Sequence, residues 1–310
     1  MTGPPTPAPP APDDATTGPA ALPADPDVRR ITLDGAGIPL SALLAEPRHA
    51  PPRAVVVAVH GGGMRAGYFH GRAHPTLSLL DLGARLGYTV LALDRPGYGA
   101  SAGRLPLGQG LAEQSATLAA ALTAFADGHR TGTGFFAVAH SYGGKLALRA
   151  AAEGAFGPDL IGVDVSGIGH RPAVDFSRLS ASDGRPNGSL HWGPLSLYPP
   201  GTFRLAGTLV TPMPEREVRE MAHWPEQFAG IATRIRVPVR FTFAEHERWW
   251  RHDGQTVAAM TALFTGATVT VDRQLAAGHN ISLGWAARSY HLRALGFLEE
   301  CVTARRARLR

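Results

Sequence analysis

The chain of 310 residues has very little cysteine, very little lysine and no long hydrophobic segment. Its one cysteine, Cys301, excludes an internal disulfide and a metal site built on several thiolates, and we expect it to be a small buried apolar residue. No apolar run approaches the roughly 18 residues that span a bilayer. The N-terminus lacks a basic segment followed by an apolar one, so the sequence predicts a soluble, cytoplasmic protein without signal peptide or membrane span.

Lysine occurs at a single position, Lys145, so arginine supplies 29 of the 30 basic residues. The net charge is +5, which raises the question of a nucleic-acid partner. Such a partner requires basic side chains clustered on one face or along one groove. The arginines are scattered along the chain except for a short group at residues 305–310. We therefore predict no nucleic-acid partner.

Two parts of the chain differ sharply in composition. Residues 1–27 contain nine prolines and no aromatic residue, isoleucine or valine, so they cannot bury enough apolar surface to offset the entropy of ordering. We predict that this segment is a disordered tail. The rest of the chain, residues 28–310, has the apolar content to form one domain with a large core.

Apolar segments of strand length alternate with segments of helical periodicity from residue 28 onward. The predicted strands cover residues 31–33, 39–45, 54–59, 89–93, 135–139, 160–165, 237–243 and 268–271. The predicted helices cover residues 76–86, 111–125, 145–153, 215–223, 255–264 and 285–305. This alternation predicts an α/β fold with a doubly wound, mostly parallel sheet of eight strands. Residues 167–229 interrupt it and are too long for an ordinary loop, so we predict an inserted cap or lid.

A short motif with the sequence AHSYGG, residues 139–144, lies where a buried strand meets a helix. A nucleophilic serine needs such a turn, because the strained backbone there exposes the hydroxyl group. The small residues Ala139 and Gly143, two before and two after the serine, allow strand and helix to approach closely. Ser141 is therefore the candidate nucleophile.

A glycine-rich segment, His60–Gly63, directly follows the third predicted strand. Acyl transfer needs two backbone N–H groups aimed at the developing oxyanion, and each lowers the barrier by about 3–4 kcal/mol. We predict that the N–H of Gly62 or Gly63 forms this oxyanion hole together with the N–H of Tyr142. We expect His60 to anchor the loop rather than to act as a base.

These motifs resemble those of the α/β-hydrolase family. The resemblance is carried by residues 60–63 (HGGG), 94–99 (DRPGYG) and 140–144 (HSYGG), and it covers about residues 28–305, with Ala139 in place of the family's usual glycine. It implies the α/β-hydrolase fold and a catalytic triad in the chain order nucleophile, acid, histidine. In this family the loop at residues 94–99 is structural, and we assign it no catalytic role.

The resemblance implies an acid after the seventh strand and a histidine after the eighth. Glu247 aligns with the family's acid, and Glu245 is its close competitor. His279, in the segment AGHN, follows the eighth strand and is the candidate base. Asp164, inside the sixth strand, is a further candidate acid, but a carboxylate among apolar neighbours needs a partner.

These assignments imply an enzyme that uses an acyl-enzyme intermediate and requires no metal or organic cofactor. Ser141 would attack the substrate, His279 would transfer the proton, and Glu247 would orient the imidazole. We therefore expect hydrolysis of an ester or a thioester. Relatives use the same residues for acyl transfer, for cyclisation or for elimination of a carboxylate such as acetate in natural-product pathways, and some only bind ligands. The fold does not choose among these activities.

Aromatic residues are frequent in the predicted insertion and next to the proposed acid, which favours an apolar ligand. We expect the small-molecule partner to be a medium-sized, largely apolar ester or thioester. No pattern in the sequence predicts an oligomeric state. The residues proposed to contact the substrate are Met64, Trp192, Trp224 and Trp249.

Overall fold

A computed structural model describes residues 27–176 and 188–308 of the chain. The segment predicted to be disordered, residues 1–27, lies outside the described residues except for Asp27. Eight strands form the main sheet: β1 (Arg29–Asp34), β2 (Pro39–Ala45), β3 (Val55–Val59), β4 (Thr89–Leu93), β5 (Phe135–His140), β6 (Leu160–Ser166), β7 (Val239–His246) and β8 (Val269–Gly278).

The helices lie between and after these strands. They are α1 (Leu79–Arg85), α2 (Leu111–Gly128), α3 (Tyr142–Glu153), α4 (Gly188–His191), α5 (Thr202–Ala206), α6 (Glu215–Glu220), α7 (Trp224–Ala232), α8 (Gly254–Thr261) and α9 (Ala287–Arg308). In the described ranges, no helix combines the length and the apolar character needed to cross a membrane.

The strand order in the sheet is β1-β2-β4-β3-β5-β6-β7-β8. β2 pairs antiparallel with β1 and with β4, and all other neighbours are parallel. This order confirms the predicted eight-stranded, mostly parallel sheet. Because parallel strands point the same way, the segments that follow β3, β5, β7 and β8 meet at one edge of the sheet, where α/β proteins place their sites.

Helices cover both faces of the sheet, which explains why the central strands are continuous apolar runs. Every residue of β3 is buried. Helices α2, α3 and α7 pack on one face, and α1 and α9 pack on the other. Cys301 of α9 is buried in the second of these layers and is free, as predicted.

Two elements differ from the prediction. β8 continues past the apolar run at residues 268–271 to Gly278, because it is the outer strand of the sheet and its polar positions are largely accessible to solvent. Helix α7 was not predicted, although Trp224, Phe228 and Ile231 recur at helical spacing. It lies mainly within the predicted insertion, and its buried face packs on α3 and joins the main core.

Candidate active site

Ser141 occupies a sharp turn between β5 and α3. Its backbone has φ +52° and ψ −118°, a conformation that L-residues with a side chain rarely adopt and that occurs mainly at functional sites. The turn brings α3 against the end of β3. A Cβ on Gly143 would lie 2.3 Å from the carbonyl oxygen of Val59, so only glycine fits there. This steric limit explains why a small residue is needed at Gly143, two positions after the serine.

A chain of hydrogen bonds joins three side chains that are far apart in the sequence. The Ser141 Oγ lies 3.1 Å from the His279 Nε2, and the His279 Nδ1 lies 2.8 Å from a carboxylate oxygen of Glu247. The other carboxylate oxygen of Glu247 accepts the backbone N–H of Trp249 at 2.8 Å. In the neutral imidazole, this arrangement places the proton on Nδ1, which donates to Glu247, and leaves Nε2 free to accept the serine proton.

The two competing acids do not contact His279. Glu245 is exposed, and its carboxylate accepts the backbone N–H of Ala276 at 2.7 Å. Asp164 is fully buried, with Arg240 at 2.5 Å and the hydroxyl of Tyr290 at 2.8 Å. The partner that Asp164 needs is therefore supplied by β7 and α9. These contacts exclude Asp164 and Glu245 from the hydrogen-bonded chain and leave Glu247 beside the imidazole.

The glycine-rich loop presents one N–H group of the expected kind. The N–H of Gly63 donates to the Tyr98 hydroxyl at 3.0 Å and is thus already engaged. Within the described parts of the chain, the N–H groups of Gly62 and Tyr142 have no protein acceptor, and both residues border the cavity that contains Ser141. Of the two glycines that the sequence left open, Gly62 is the one whose N–H is available to a ligand.

A buried arginine holds this loop in place. Arg95 donates to the carbonyl groups of His60 at 2.9 Å and Gly61 at 3.2 Å, and to the side chains of Gln114 and Glu217. The backbone N–H of Arg95 donates to the His60 Nε2 at 3.0 Å, while the His60 Nδ1 donates to the Gly61 carbonyl. Burial, together with Arg95, lowers the pKa of His60 well below its usual value. His60 therefore stays neutral and anchors the loop.

A cavity of about 360 Å³ opens beside Ser141. Of the four residues proposed to contact the substrate, Met64, Trp192 and Trp249 line this cavity. The prediction for Trp224 is wrong. Its ring is fully buried in the core and its indole N–H donates to the carbonyl of Gly169 at 2.8 Å, so it attaches α7 to the domain instead.

Several residues of the cavity were not found from the sequence. The segment between β6 and β7 contributes Phe176, His191, Met213 and Met221, and Lys145 projects from α3. Burial, reinforced by His279, lowers the pKa of His191 to about 4, so this histidine is neutral near pH 7. The described residues contain no group of three or more His, Cys, Asp or Glu side chains placed to hold one metal ion.

Comparison with known proteins gives matches to a family and to solved structures. The model of the alpha/beta hydrolase family matches residues 56–295. A thermostable carboxyl esterase from Bacillus coagulans is similar in structure, with a TM-score of 0.64 and 16% identity over 89% of this chain and 99% of that chain. A soluble variant of the monoglyceride lipase from Saccharomyces cerevisiae has a TM-score of 0.63 and 14% identity over 89% and 96% of the two chains.

A thioesterase domain from the curacin biosynthetic pathway has a TM-score of 0.57 and 16% identity, over 87% of this chain and 99% of that chain. At such low identities, these similarities establish the shared fold alone. No curated protein sequence matches the chain.

Proposed function

The chain belongs to the α/β-hydrolase family, and we propose that it is a serine hydrolase that cleaves a medium-sized, largely apolar ester or thioester through Ser141, His279 and Glu247. The observation that carries this proposal is the unbroken series of hydrogen bonds from the serine hydroxyl through the imidazole to the carboxylate. The mostly apolar cavity beside the serine supports the substrate class.

The proposed reaction has two halves. In the first, the Ser141 Oγ attacks the carbonyl carbon while its proton moves to the His279 Nε2, and the N–H groups of Gly62 and Tyr142 stabilise the oxyanion. The intermediate collapses, the bond to the leaving alcohol or thiol breaks, and His279 protonates the leaving group. In the second half, His279 removes a proton from water, which attacks the acyl carbon. The bond to the Ser141 Oγ then breaks, His279 returns the proton to the Oγ, and the acid is released. Glu247 stabilises the imidazolium that forms in each half.

The test combines active-site labelling with product analysis. We expect a fluorophosphonate to label Ser141, and we expect Ser141→Ala and His279→Ala to reduce the hydrolysis of short p-nitrophenyl esters by about 10³-fold or more. In ¹⁸O-water, hydrolysis places the label in the acid. Wild-type turnover in Ser141→Ala would disprove the proposed nucleophile. An alkene with an unlabelled carboxylate would show elimination instead of hydrolysis.

The assignment of the acid has a matched control two residues away. We expect Glu247→Gln to lower kcat by about 10³–10⁴-fold, because the amide no longer fixes the imidazole in the required tautomer. Glu245→Gln changes a comparable carboxylate that only accepts the backbone N–H of Ala276, so we expect its kcat to stay near the wild-type value. Steady-state kinetics of both variants test this. A large loss of kcat in Glu245→Gln, with a nearly unchanged kcat in Glu247→Gln, would contradict the assignment of Glu247 as the acid.

A further inference from the structure

The chain's one lysine lies inside the candidate active site. Lys145 follows Ser141 by four residues, or about one turn of α3, and both residues line the same cavity. The Lys145 side chain is buried, and its Nζ has no hydrogen-bond partner in residues 27–176 and 188–308. A buried amine with unused donors is unfavourable unless a ligand or another group completes it.

Four aromatic rings surround the amine. The Lys145 Nζ lies 5.4 Å from the ring centres of Tyr142 and Phe176, 5.5 Å from that of Trp250 and 5.6 Å from that of Trp224. Ring faces attract a cation and offset part of its desolvation. They offer no oxygen acceptor, however, so the hydrogen-bond donors of the amine are left for whatever occupies the cavity.

The neighbouring acids are engaged elsewhere. Glu217 of α6 pairs with Arg95, while Glu220 accepts the backbone N–H of Leu111 at 2.7 Å and the hydroxyl of Tyr142 at 3.3 Å. No acidic side chain of the described residues lines the cavity. An isolated basic group in an otherwise largely apolar pocket is the arrangement that orients one charged end of a ligand.

We propose that Lys145 binds a carboxylate of the substrate, which makes the protein a hydrolase of hemiesters or mono-thioesters of dicarboxylic acids. This inference rests on the proposed function and specifies its substrate class. The carboxylate would accept a charge-assisted hydrogen bond from the buried amine. The nearness of Lys145 to Ser141 along α3 requires a short chain between the carboxylate and the reacting carbonyl group.

The primary experiment compares two matched substrate series. Monobenzyl esters of succinic to suberic acid carry the carboxylate, and benzyl esters with a terminal carboxamide are neutral and nearly isosteric with them. At pH 6.5, we expect wild-type kcat/KM to favour the carboxylate by at least about tenfold at the best chain length. We expect Lys145→Met to remove this preference, so that its kcat/KM values for the carboxylate and the carboxamide agree within about threefold. No wild-type preference, or an equal loss for both series, would overturn the inference.

The pH dependence of the same ratio provides a second readout. Burial lowers the pKa of the Lys145 amine to about 7, so its charged fraction falls as the pH rises from 6 to 9. The other ionisable groups around the amine are Tyr142 of α3, Glu217 and Glu220 of α6, and His191 across the cavity. A change in the protonation of these groups, or of His279, would change kcat/KM for both substrate series and would therefore largely cancel in their ratio. The carboxylate-to-carboxamide ratio should therefore fall with pH in the wild type and stay constant in Lys145→Met.

A ligand-protection experiment separates this inference from the proposed function. Because Lys145 is the only lysine, reductive methylation followed by peptide mass spectrometry reports on this amine without ambiguity. The non-hydrolysable N-benzyl monoamide of the best dicarboxylic acid should protect Lys145, and its carboxamide analogue should not. Equal protection by the two compounds would overturn the carboxylate site. Fluorophosphonate labelling of Ser141 in the same samples reports independently on the proposed nucleophile.

Discussion

Two buried basic side chains, Arg95 and Lys145, lie near the ring of Tyr142 beside the proposed oxyanion hole. They differ in the number of hydrogen-bond partners that the protein gives them. The guanidinium of Arg95 lies 4.7 Å from the Tyr142 ring centre, and the amine of Lys145 lies 5.4 Å from it. Arg95 donates to two loop carbonyls and to the side chains of Gln114 and Glu217. Lys145 has no hydrogen-bond partner within the part of the chain that the structure describes.

This difference in hydrogen bonding indicates that Arg95 has a structural role and that Lys145 is available to bind a ligand. Arg95 has hydrogen-bond acceptors within the protein, and it therefore fixes the segments that supply them, including the oxyanion loop and α6. A buried cation left incomplete lowers the stability of the free protein, and functional sites are where such groups are found. The pKa values point the same way: the Glu217 carboxylate and other partners outweigh burial and raise the pKa of Arg95, whereas burial lowers that of Lys145.

Removing the main partner of Arg95 should have the largest effect on stability. We expect Glu217→Gln to lower the free energy of unfolding by about 3–5 kcal/mol, because it leaves the buried guanidinium without its counter-charge. The matched control is Glu215→Gln on the same helix, which removes an exposed pair with Arg219 and should leave stability nearly unchanged. Urea unfolding of both variants checks this, and a Glu217→Gln protein as stable as the control would refute a structural role for the pair.

Changing Lys145 should act in the opposite direction. We expect Lys145→Met to raise the free energy of unfolding at pH 7 by about 1–3 kcal/mol, because an apolar chain replaces an incomplete buried amine among aromatic rings. Lys145→Gln keeps an unsatisfied polar group at the same place and should give no such gain. If Lys145→Met were the less stable of the two, the amine would have a partner that stabilises it in the free protein.

The increase in the free energy of unfolding that Lys145→Met produces should become smaller as the pH rises. The pKa of this amine is about 7 in the folded protein and 10.5 in an ordinary lysine, so between these values the unfolded chain binds the additional proton. Wild-type stability therefore rises with pH in this window, by at most about 1.4 kcal/mol per unit, and Lys145→Met lacks this term. Urea unfolding at pH 7 and pH 9 should show the two proteins converge, and a constant difference would contradict the lowered pKa.

The fold was predictable because its signals are local. β3 is a continuous apolar run, β4 is apolar after its first residue, and the glycines around Ser141 mark a turn whose tight packing the structure explains. β8 was predicted too short because its apolar start is followed by three polar residues, 272–274, which an outer strand tolerates. The apolar periodicity of an element thus reports how many of its faces are covered, as well as the type of the element.

The candidate site was predictable only in part, because its contacts depend on packing between distant segments. The motif order led to Ser141, Glu247 and His279, which do come into contact. The pairing of Arg95 with Glu217 joins residues 122 positions apart and has no local signal. Lys145 did have a signal, since the only lysine of the chain lies one helical turn after the candidate nucleophile.

The smallest predicted effect concerns the hydroxyl that joins the oxyanion loop to the Arg95 network. Tyr98 accepts the N–H of Gly63 at 3.0 Å and donates to Glu217 at 2.7 Å. We expect Tyr98→Phe to lower the free energy of unfolding by about 1–2 kcal/mol. We also expect it to reduce kcat severalfold, because the released Gly63 loosens the loop that positions the N–H of Gly62.

The control for this last variant is Tyr88→Phe, which removes a hydroxyl bonded to Glu299 and remote from the cavity. We expect Tyr88→Phe to lower stability by a similar amount and to leave kcat unchanged, since that hydroxyl supports α9 alone. Unfolding curves and steady-state kinetics of both variants test the difference. An unchanged kcat in Tyr98→Phe would mean that Arg95 alone holds the loop, through the carbonyl groups of His60 and Gly61. The network would then stabilise the fold without tuning the reaction.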